Sequence, residues 1–106
     1  MVAAAVGQPI TVTEKRGTRS DIVRFELNRS LTGMGHERYR AGQEIVGNRP
    51  ADELARRLLA QPGVEGVHIY SNVVTVQLAP GADAGGLGDI VHALFVHYDH
   101  DEQGTA

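Results

Sequence analysis

The segment from Pro50 to Val76 constrains the fold more than any other part of this chain. Its first ten residues place apolar side chains at the spacing of one helix face, three and four positions apart. These side chains are Ala51, Leu54, Ala55, Leu58 and Leu59. An amphipathic helix of this length is not stable alone, so the stripe predicts that the helix packs against another element.

Capping signals mark both ends of this helix. Asn48 is predicted as the N-cap, and Pro50 suits the first turn because the N–H that it lacks would have no helical partner there. The carboxylate of Asp52 favours the positive end of the helix dipole. Pro62 and Gly63 are predicted to end the helix, since neither residue continues a helix well.

The residues after the helix alternate as in a β-hairpin. Val67 and Ile69 share one face of the first strand, and Val74 and Val76 share one face of the second. A two-residue turn at 71–72 sets Ile69 opposite Val74 and Val67 opposite Val76, so all four face the helix. His68 and Tyr70 are predicted on the outward face, where they cover apolar surface or, as the alternative, form part of a contact site.

Three further strands and a second helix are predicted outside this segment. Ile10 to Glu14 and Asp21 to Asn28 alternate as strands, and His36 to Arg40 is a possible third strand. Asp83 is predicted to cap a C-terminal helix. That helix has an apolar stripe of Leu87, Ile90, Val91, Leu94, Phe95 and Tyr98.

This order of elements, β-β-(β)-α-β-β-α, predicts an α+β fold. We expect a mainly antiparallel sheet of four to five strands with both helices on one face. Residues 10–98 are predicted to form a single domain, and residues 1–9 and 99–106 to be flexible termini.

Composition excludes several kinds of chemistry. The chain has 106 residues and no cysteine, which excludes disulfides, a thiol nucleophile and a protein-only thiolate site for zinc or an iron–sulfur cluster. Its apolar runs are much shorter than the roughly 20 residues that cross a bilayer. We therefore expect a cytoplasmic protein with no membrane partner.

Charge is divided unevenly along the chain. All ten basic residues lie in the first 57 positions beside seven acidic ones, whereas the last 49 positions carry six acidic residues and no Lys or Arg. Lys15, Arg16 and Arg19 are predicted in a basic hairpin tip and, with Arg24 on the following strand, are candidates for binding an acidic protein partner. The alternative is a solvated surface on which the charges of the two halves intermix.

The C-terminal histidines are the candidate metal ligands. His97, His100 and Asp101 offer imidazole and carboxylate groups that suit iron or zinc. The chain has no HExxH motif or similar rigid pair, so the alternative is a polar tail with no specific ligand.

Neither an enzyme nor a nucleic-acid-binding protein is predicted. No serine lies in a nucleophile elbow or an SxxK setting, and no Ser-His-Asp arrangement is evident. The chain is acidic overall, and its basic positions are not interleaved with aromatic residues in the way that stacking platforms for nucleic-acid bases require.

The chain resembles the N-terminal domain of the Nfu/NifU-type iron–sulfur cluster scaffold proteins. The resemblance spans roughly Ile10 to Tyr98 and depends on the order and spacing of loose structural motifs. They are Leu54-Ala55 and Leu58-Leu59 of the central helix, Pro62-Gly63-Val64, Gly66-Val67, the strand NVVTVQ at 72–77 and Val23-Arg24-Phe25. The resemblance implies an accessory domain of iron–sulfur cluster assembly or delivery.

The sequence departs from the family pattern in three places. GTRSDI replaces the family's TPNPN segment, and the tryptophan that usually opens the last helix is missing. The family's separate C-terminal domain, whose CxxC pair holds the cluster in full-length members, has no counterpart within these 106 residues. The resemblance therefore implies that this domain binds a scaffold or client protein and does not ligate the cluster itself.

Overall fold

Five antiparallel strands and two helices form the α+β fold in a computed structural model that describes residues 11–17, 19, 21–32 and 35–94. The strands are β1 (Val12–Arg16), β2 (Ile22–Leu27), β3 (His36–Arg40), β4 (Val64–Tyr70) and β5 (Val73–Leu78). Helix α1 (Pro50–Leu59) lies between β3 and β4, and α2 covers residues 87–94 after β5. The predicted element order is confirmed.

The sheet has the strand order β1-β2-β5-β4-β3. Ile69 pairs with Val74 and Val67 with Val76 in the β4–β5 hairpin, as predicted. A bulge between Val64 and Gly66 shifts the register at the start of β4. Among the described residues β1 pairs with β2 alone and β3 pairs with β4 alone, so β1 and β3 are the two edges of the sheet.

The core lies on one side of the sheet. Alternate residues of the central strands are buried there, as period-2 patterning requires. They are Val23, Phe25, Leu27, Val67, Ile69, Val74, Val76 and Leu78. Helix α1 packs over β4 and β3, while Gly88 of α2 lies near the Phe25 ring on β2. Both helices therefore cover the same face.

The opposite face of the sheet, which we call the open face, carries no buried residue among those described. It presents polar and charged side chains from every strand. Those used below are Lys15, Arg24, Glu26, His36, Arg38, Arg40, His68, Tyr70, Thr75 and Gln77.

Several sequence predictions need correction at element ends. β1 runs from Val12 to Arg16 and not from Ile10 to Glu14, because Lys15 and Arg16 pair with Arg24 and Val23 of β2. Ile10 itself lies outside the described residues. The sequence predicts Lys15 and Arg16 in the hairpin tip. Their pairing with β2, which their polarity does not reveal, makes them part of β1 instead.

Both predicted helix caps are also wrong. Arg49 and not Asn48 is the N-cap of α1, since the Glu53 N–H donates to the Arg49 carbonyl. Asp83 does not cap α2, because its carboxylate accepts the Gly85 N–H within a turn that precedes the helix. Phe95 and Tyr98, the last residues of the predicted stripe, lie outside the described residues.

A polar network joins α1 to the β3 edge. Asp52, only 3% exposed, accepts hydrogen bonds from the Tyr39 hydroxyl at 2.8 Å and from Arg49 Nε at 2.9 Å. Arg49 also donates two bonds to Glu37 at 3.0 and 3.1 Å. A Cβ on Gly47 would overlap the Asp52 carboxylate, so the loop before α1 needs glycine there. We call Glu37, Tyr39, Arg49 and Asp52 the edge network.

The edge network sets the charge state of its members. Hydrogen bonds from Arg49 outweigh burial and lower the pKa of Asp52 to about 2. Burial, together with the neighbouring Asp52 carboxylate, raises the pKa of the Tyr39 hydroxyl. Asp52 is therefore ionised and Tyr39 is a hydrogen-bond donor at neutral pH.

Charge placed in the core should unfold the domain. Leu58→Asp and Leu94→Asp each put a carboxylate where the native side chain is 0% exposed, at a cost of several kcal/mol because the buried charge has no partner. Circular dichroism melts should show loss of the cooperative transition in both variants. Cooperative melting at the wild-type temperature would contradict this core.

Neutralising Asp52 should weaken the fold in a pH-dependent way. The folded-state pKa lies below the ordinary 3.8, so the ionised group contributes stability above pH 4, and this contribution is lost as the pH falls toward 2. Asp52→Asn should lower the free energy of unfolding at pH 7 by about 2 kcal/mol. Urea unfolding at pH 7 and pH 3 measures both effects.

The matched control is Glu44→Gln, which neutralises an exposed carboxylate in the loop before α1. It should change the free energy of unfolding by less than about 0.5 kcal/mol. Equal losses in the Asp52 and Glu44 variants would show that the edge network contributes nothing specific.

Candidate protein-interaction surface

The β1–β2 hairpin brings all four predicted partner-binding residues together. Lys15, Arg16, Arg19 and Arg24 line a single shallow cavity of about 390 Å³, together with Gly17 and Ile22. We call this depression the tip cavity. Lys15 and Arg24 face each other across the two strands on the open face, and Arg19 lies beyond the strand ends.

Three of these four cations have a nearby carboxylate partner. Lys15 lies 3.4 Å from Glu26, Arg16 lies 3.1 Å from Glu14, and Arg19 lies 2.8 Å from Asp21. Exposed pairs of this kind contribute at most about 1 kcal/mol each. They can therefore be exchanged for an incoming carboxylate at little cost.

Arg19 holds the most regular of these pairs. Its Nε and Nη2 donate to the two oxygens of Asp21 at 3.1 and 2.8 Å, a bidentate geometry. Gln77 of β5 donates to the same carboxylate at 2.9 Å. Hydrogen bonds from Arg19, followed by those from Gln77, lower the pKa of Asp21. The same bonds connect the hairpin tip to the central strand β5.

Arg24 differs from the other three. Within the described part of the chain it forms no ion pair, and it is exposed on the open face. Arg38 and Arg40 on β3 are likewise exposed, and their guanidinium groups have no carboxylate partner among the described residues. Sequence reasoning identified Arg24 but not Arg38 or Arg40.

The strand register places Arg24 and Arg38 in one line across the sheet. Lys15 pairs with Arg24, Arg24 with Thr75, Thr75 with His68, and His68 with Arg38. We call these five residues the cross-strand row. It contains no carboxylate, and its members come from all five strands.

The rings of His36, His68 and Tyr70 form a cluster that shares His68 with the row, and we call it the ring cluster. The imidazoles of His36 and His68 are nearly coplanar, with Nδ1 of His36 2.9 Å from Nε2 of His68. Tyr70 stacks on His36 at a centroid distance of 4.0 Å. His68 and Tyr70 face outward as predicted, but they contact His36 of the edge strand, which the sequence did not indicate.

The histidine pair restricts protonation. One ring must donate and the other accept, so at least one imidazole is neutral while the hydrogen bond lasts. Burial, followed by the charges of Arg38 and His36, lowers the pKa of His68. On this face, therefore, permanent positive charge comes from the arginines and Lys15.

The predicted metal ligands His97, His100 and Asp101 lie outside the described residues, so their prediction stays untested. Across residues 11–17, 19, 21–32 and 35–94, no group of three or more His, Cys, Asp or Glu side chains is arranged to hold a metal ion. The same residues include no helix long and apolar enough to cross a membrane.

The titration of His68 should depend on its two neighbours. Because its folded-state pKa lies below 6.5, the unfolded chain binds the proton more readily, and stability from this group falls as the pH drops through that value. NMR titration should show a higher His68 pKa in His36→Gln and in Arg38→Gln. Arg57→Gln, on α1, is the control and should leave it unchanged.

Comparisons with known proteins identify the fold but no family. No family model and no curated protein matches the chain. The crystal structure of protein SAV1430 from Staphylococcus aureus is similar, with a TM-score of 0.60 and 16% identity over 83% of this chain and 99% of that one. A solution NMR structure from Staphylococcus epidermidis is also similar, with a TM-score of 0.56 and 15% identity over 81% of this chain and 94% of that one.

Proposed function

We propose that this chain is a non-enzymatic interaction domain that binds an acidic protein partner through the basic end of its sheet. The observation that carries the proposal is the tip cavity, where four exposed cations from one hairpin line a single depression. Arg24 is the member whose guanidinium has no ion pair among the described residues and is therefore available to a partner's carboxylate.

We further propose that the partner belongs to iron–sulfur cluster assembly or delivery. This step is supported by the resemblance to the Nfu/NifU N-terminal domain, whose motifs fall on β2, α1, β4 and β5 of this fold. The sequence has no cysteine. In this proposal the partner, a cluster scaffold or a client, holds the cluster, and the domain contributes binding alone.

Affinity capture tests the identity of the partner. The tagged chain, incubated with a lysate of its host at low and moderate salt, should enrich a cysteine desulfurase, a cluster scaffold or iron–sulfur clients, as identified by mass spectrometry. Binding through surface charge should weaken as salt rises. Capture that enriches no iron–sulfur protein would remove the assembly role.

Charge reversal tests the tip cavity. The triple variant Lys15→Glu, Arg16→Glu, Arg19→Glu removes three cations and leaves their former carboxylate partners unpaired, so the hairpin should repel an acidic surface. We expect capture to fall at least tenfold at a temperature at which the thermal melt shows the variant still folded. Undiminished capture would exclude the tip.

Arg57→Glu is the control for this experiment. It reverses a cation on α1, on the side of the molecule away from the open face, where Arg57 pairs with Glu53. Capture by this variant should remain close to that of the wild type. A loss as large as that of the triple variant would indicate a response to net charge and not to the tip cavity.

A further inference from the structure

The open face offers charge well beyond the hairpin tip. The cross-strand row places cations at both ends, Lys15 and Arg24 on one side and Arg38 on the other, with Thr75 and His68 between them. Arg40 lies two residues along β3 from Arg38, on the same face. No helix covers these side chains in the described part of the chain, so they are accessible together.

A shallow groove lies at the β3 end of this row, whereas Lys15 and Arg24 at the other end line the tip cavity. The lining of the groove includes Arg38, Arg40, His68, Thr75 and Gln77, with Gly66 at its floor. Gly66 pairs with Gln77 on one side and with Arg40 on the other, and its missing side chain leaves a gap in the outer surface of the sheet. The groove therefore runs across the strands, between polar walls.

We propose that the open face binds an extended acidic polypeptide segment laid across the strands, with Arg24 and Arg38 each taking one carboxylate. This inference deepens the proposed function, on which it rests for the existence of a protein partner. It names the partner's chemistry and extends the contact from the tip cavity to the β3 edge.

The spacing of the arginines selects the ligand's conformation. Arg24 and Arg38 are three strand intervals apart, which is about 14 Å at 4.7–4.9 Å per interval. In an extended chain that rises about 3.4 Å per residue, acidic residues at i and i+4 lie about 14 Å apart and point to the same side. A helix would need nine or ten residues to cover the same distance.

The ring cluster favours polypeptide over single-stranded nucleic acid. Nucleic acid needs free aromatic faces on which bases stack. One face of Tyr70 is covered by His36, and His36 is held in a hydrogen bond to His68. Tyr70 keeps its other face exposed, but one such face is not a series of stacking positions, and guanidiniums without ion-pair partners suit the bidentate recognition of carboxylates.

Fluorescence anisotropy of the full chain with synthetic peptides tests this proposal directly. The probe is a labelled Ser/Thr/Val peptide with Glu at positions i and i+4, and the comparison peptide has the same composition with the two Glu residues adjacent. The i, i+4 peptide should bind at low salt and several-fold more tightly than its comparison. No binding, or equal binding of the two, would overturn the proposal.

Substitution at the far end of the row locates the site. Arg38→Gln with Arg40→Gln leaves the tip cavity intact and should weaken the i, i+4 peptide about tenfold, because the carboxylate contact of Arg38 and the nearby positive charge of Arg40 are lost. Arg57→Gln with Arg56→Lys, on α1, is the control and should leave binding unchanged. Equal losses in both double variants would overturn the assignment.

A labelled oligouridylate of matched charge tests whether the open face binds single-stranded nucleic acid in preference to polypeptide. Tighter binding of the oligouridylate than of the i, i+4 peptide would show that the face selects polyphosphate and would overturn the proposal. These titrations need no lysate. Peptide binding without capture of iron–sulfur proteins would refute the proposed assembly role alone, whereas capture without peptide binding would refute this inference alone.

Discussion

The structure depends on one constraint, which is that two helices cover one face of a five-stranded sheet and, within the described part of the chain, leave the other face exposed. Side chains within each strand alternate between the two faces, apart from the bulge between Val64 and Gly66 in β4. Every apolar residue that the helices bury fixes its sequence neighbours on the open face. The pattern that builds the core therefore also selects which side chains a partner can reach.

The edge network attaches β3, one of the two edge strands, to the helix layer. β3 is an edge strand with only five residues, and Tyr39 is its one buried side chain. Asp52 holds the Tyr39 hydroxyl from α1, and Arg49 links the same carboxylate to Glu37. A buried carboxylate with this many donors remains ionised at little cost, so the network fixes β3 to the helix that lies above it.

Sequence periodicity predicted most of the fold, because the responsible signals are local. The alternation of Val23, Phe25 and Leu27 and the helical spacing of Leu54 and Leu58 each fall within one element, and all five side chains are buried. The hairpin register was also predictable. Its turn is held by distant residues, however: Asn72 donates to the Leu27 carbonyl, and Thr32 accepts the Ser71 N–H.

What the sequence did not predict arises from contacts between distant segments. Asp52 has the pattern of an exposed first-turn acid, and only the approach of Tyr39 reveals it as buried. Arg38 and His36 belong to a strand that pairs with β4, nearly thirty residues later, with α1 between them. Arg38 and His36 become neighbours of His68 and Tyr70 only across the strands, so no one-dimensional pattern could place them on one surface.

At β3 the core and the open face are coupled because neighbouring side chains of one strand point to opposite faces. No side chain of this strand takes part in both. Tyr39 points to the helix side, where Asp52 holds it, and this orientation requires Arg38 and Arg40 to point to the open face. Loss of the network would loosen the strand that presents these arginines. Replacement of the arginines, which are exposed and have no carboxylate partner among the described residues, leaves the network whole. Stability and binding can for this reason be measured independently on the same strand, which makes β3 the most informative element in this chain.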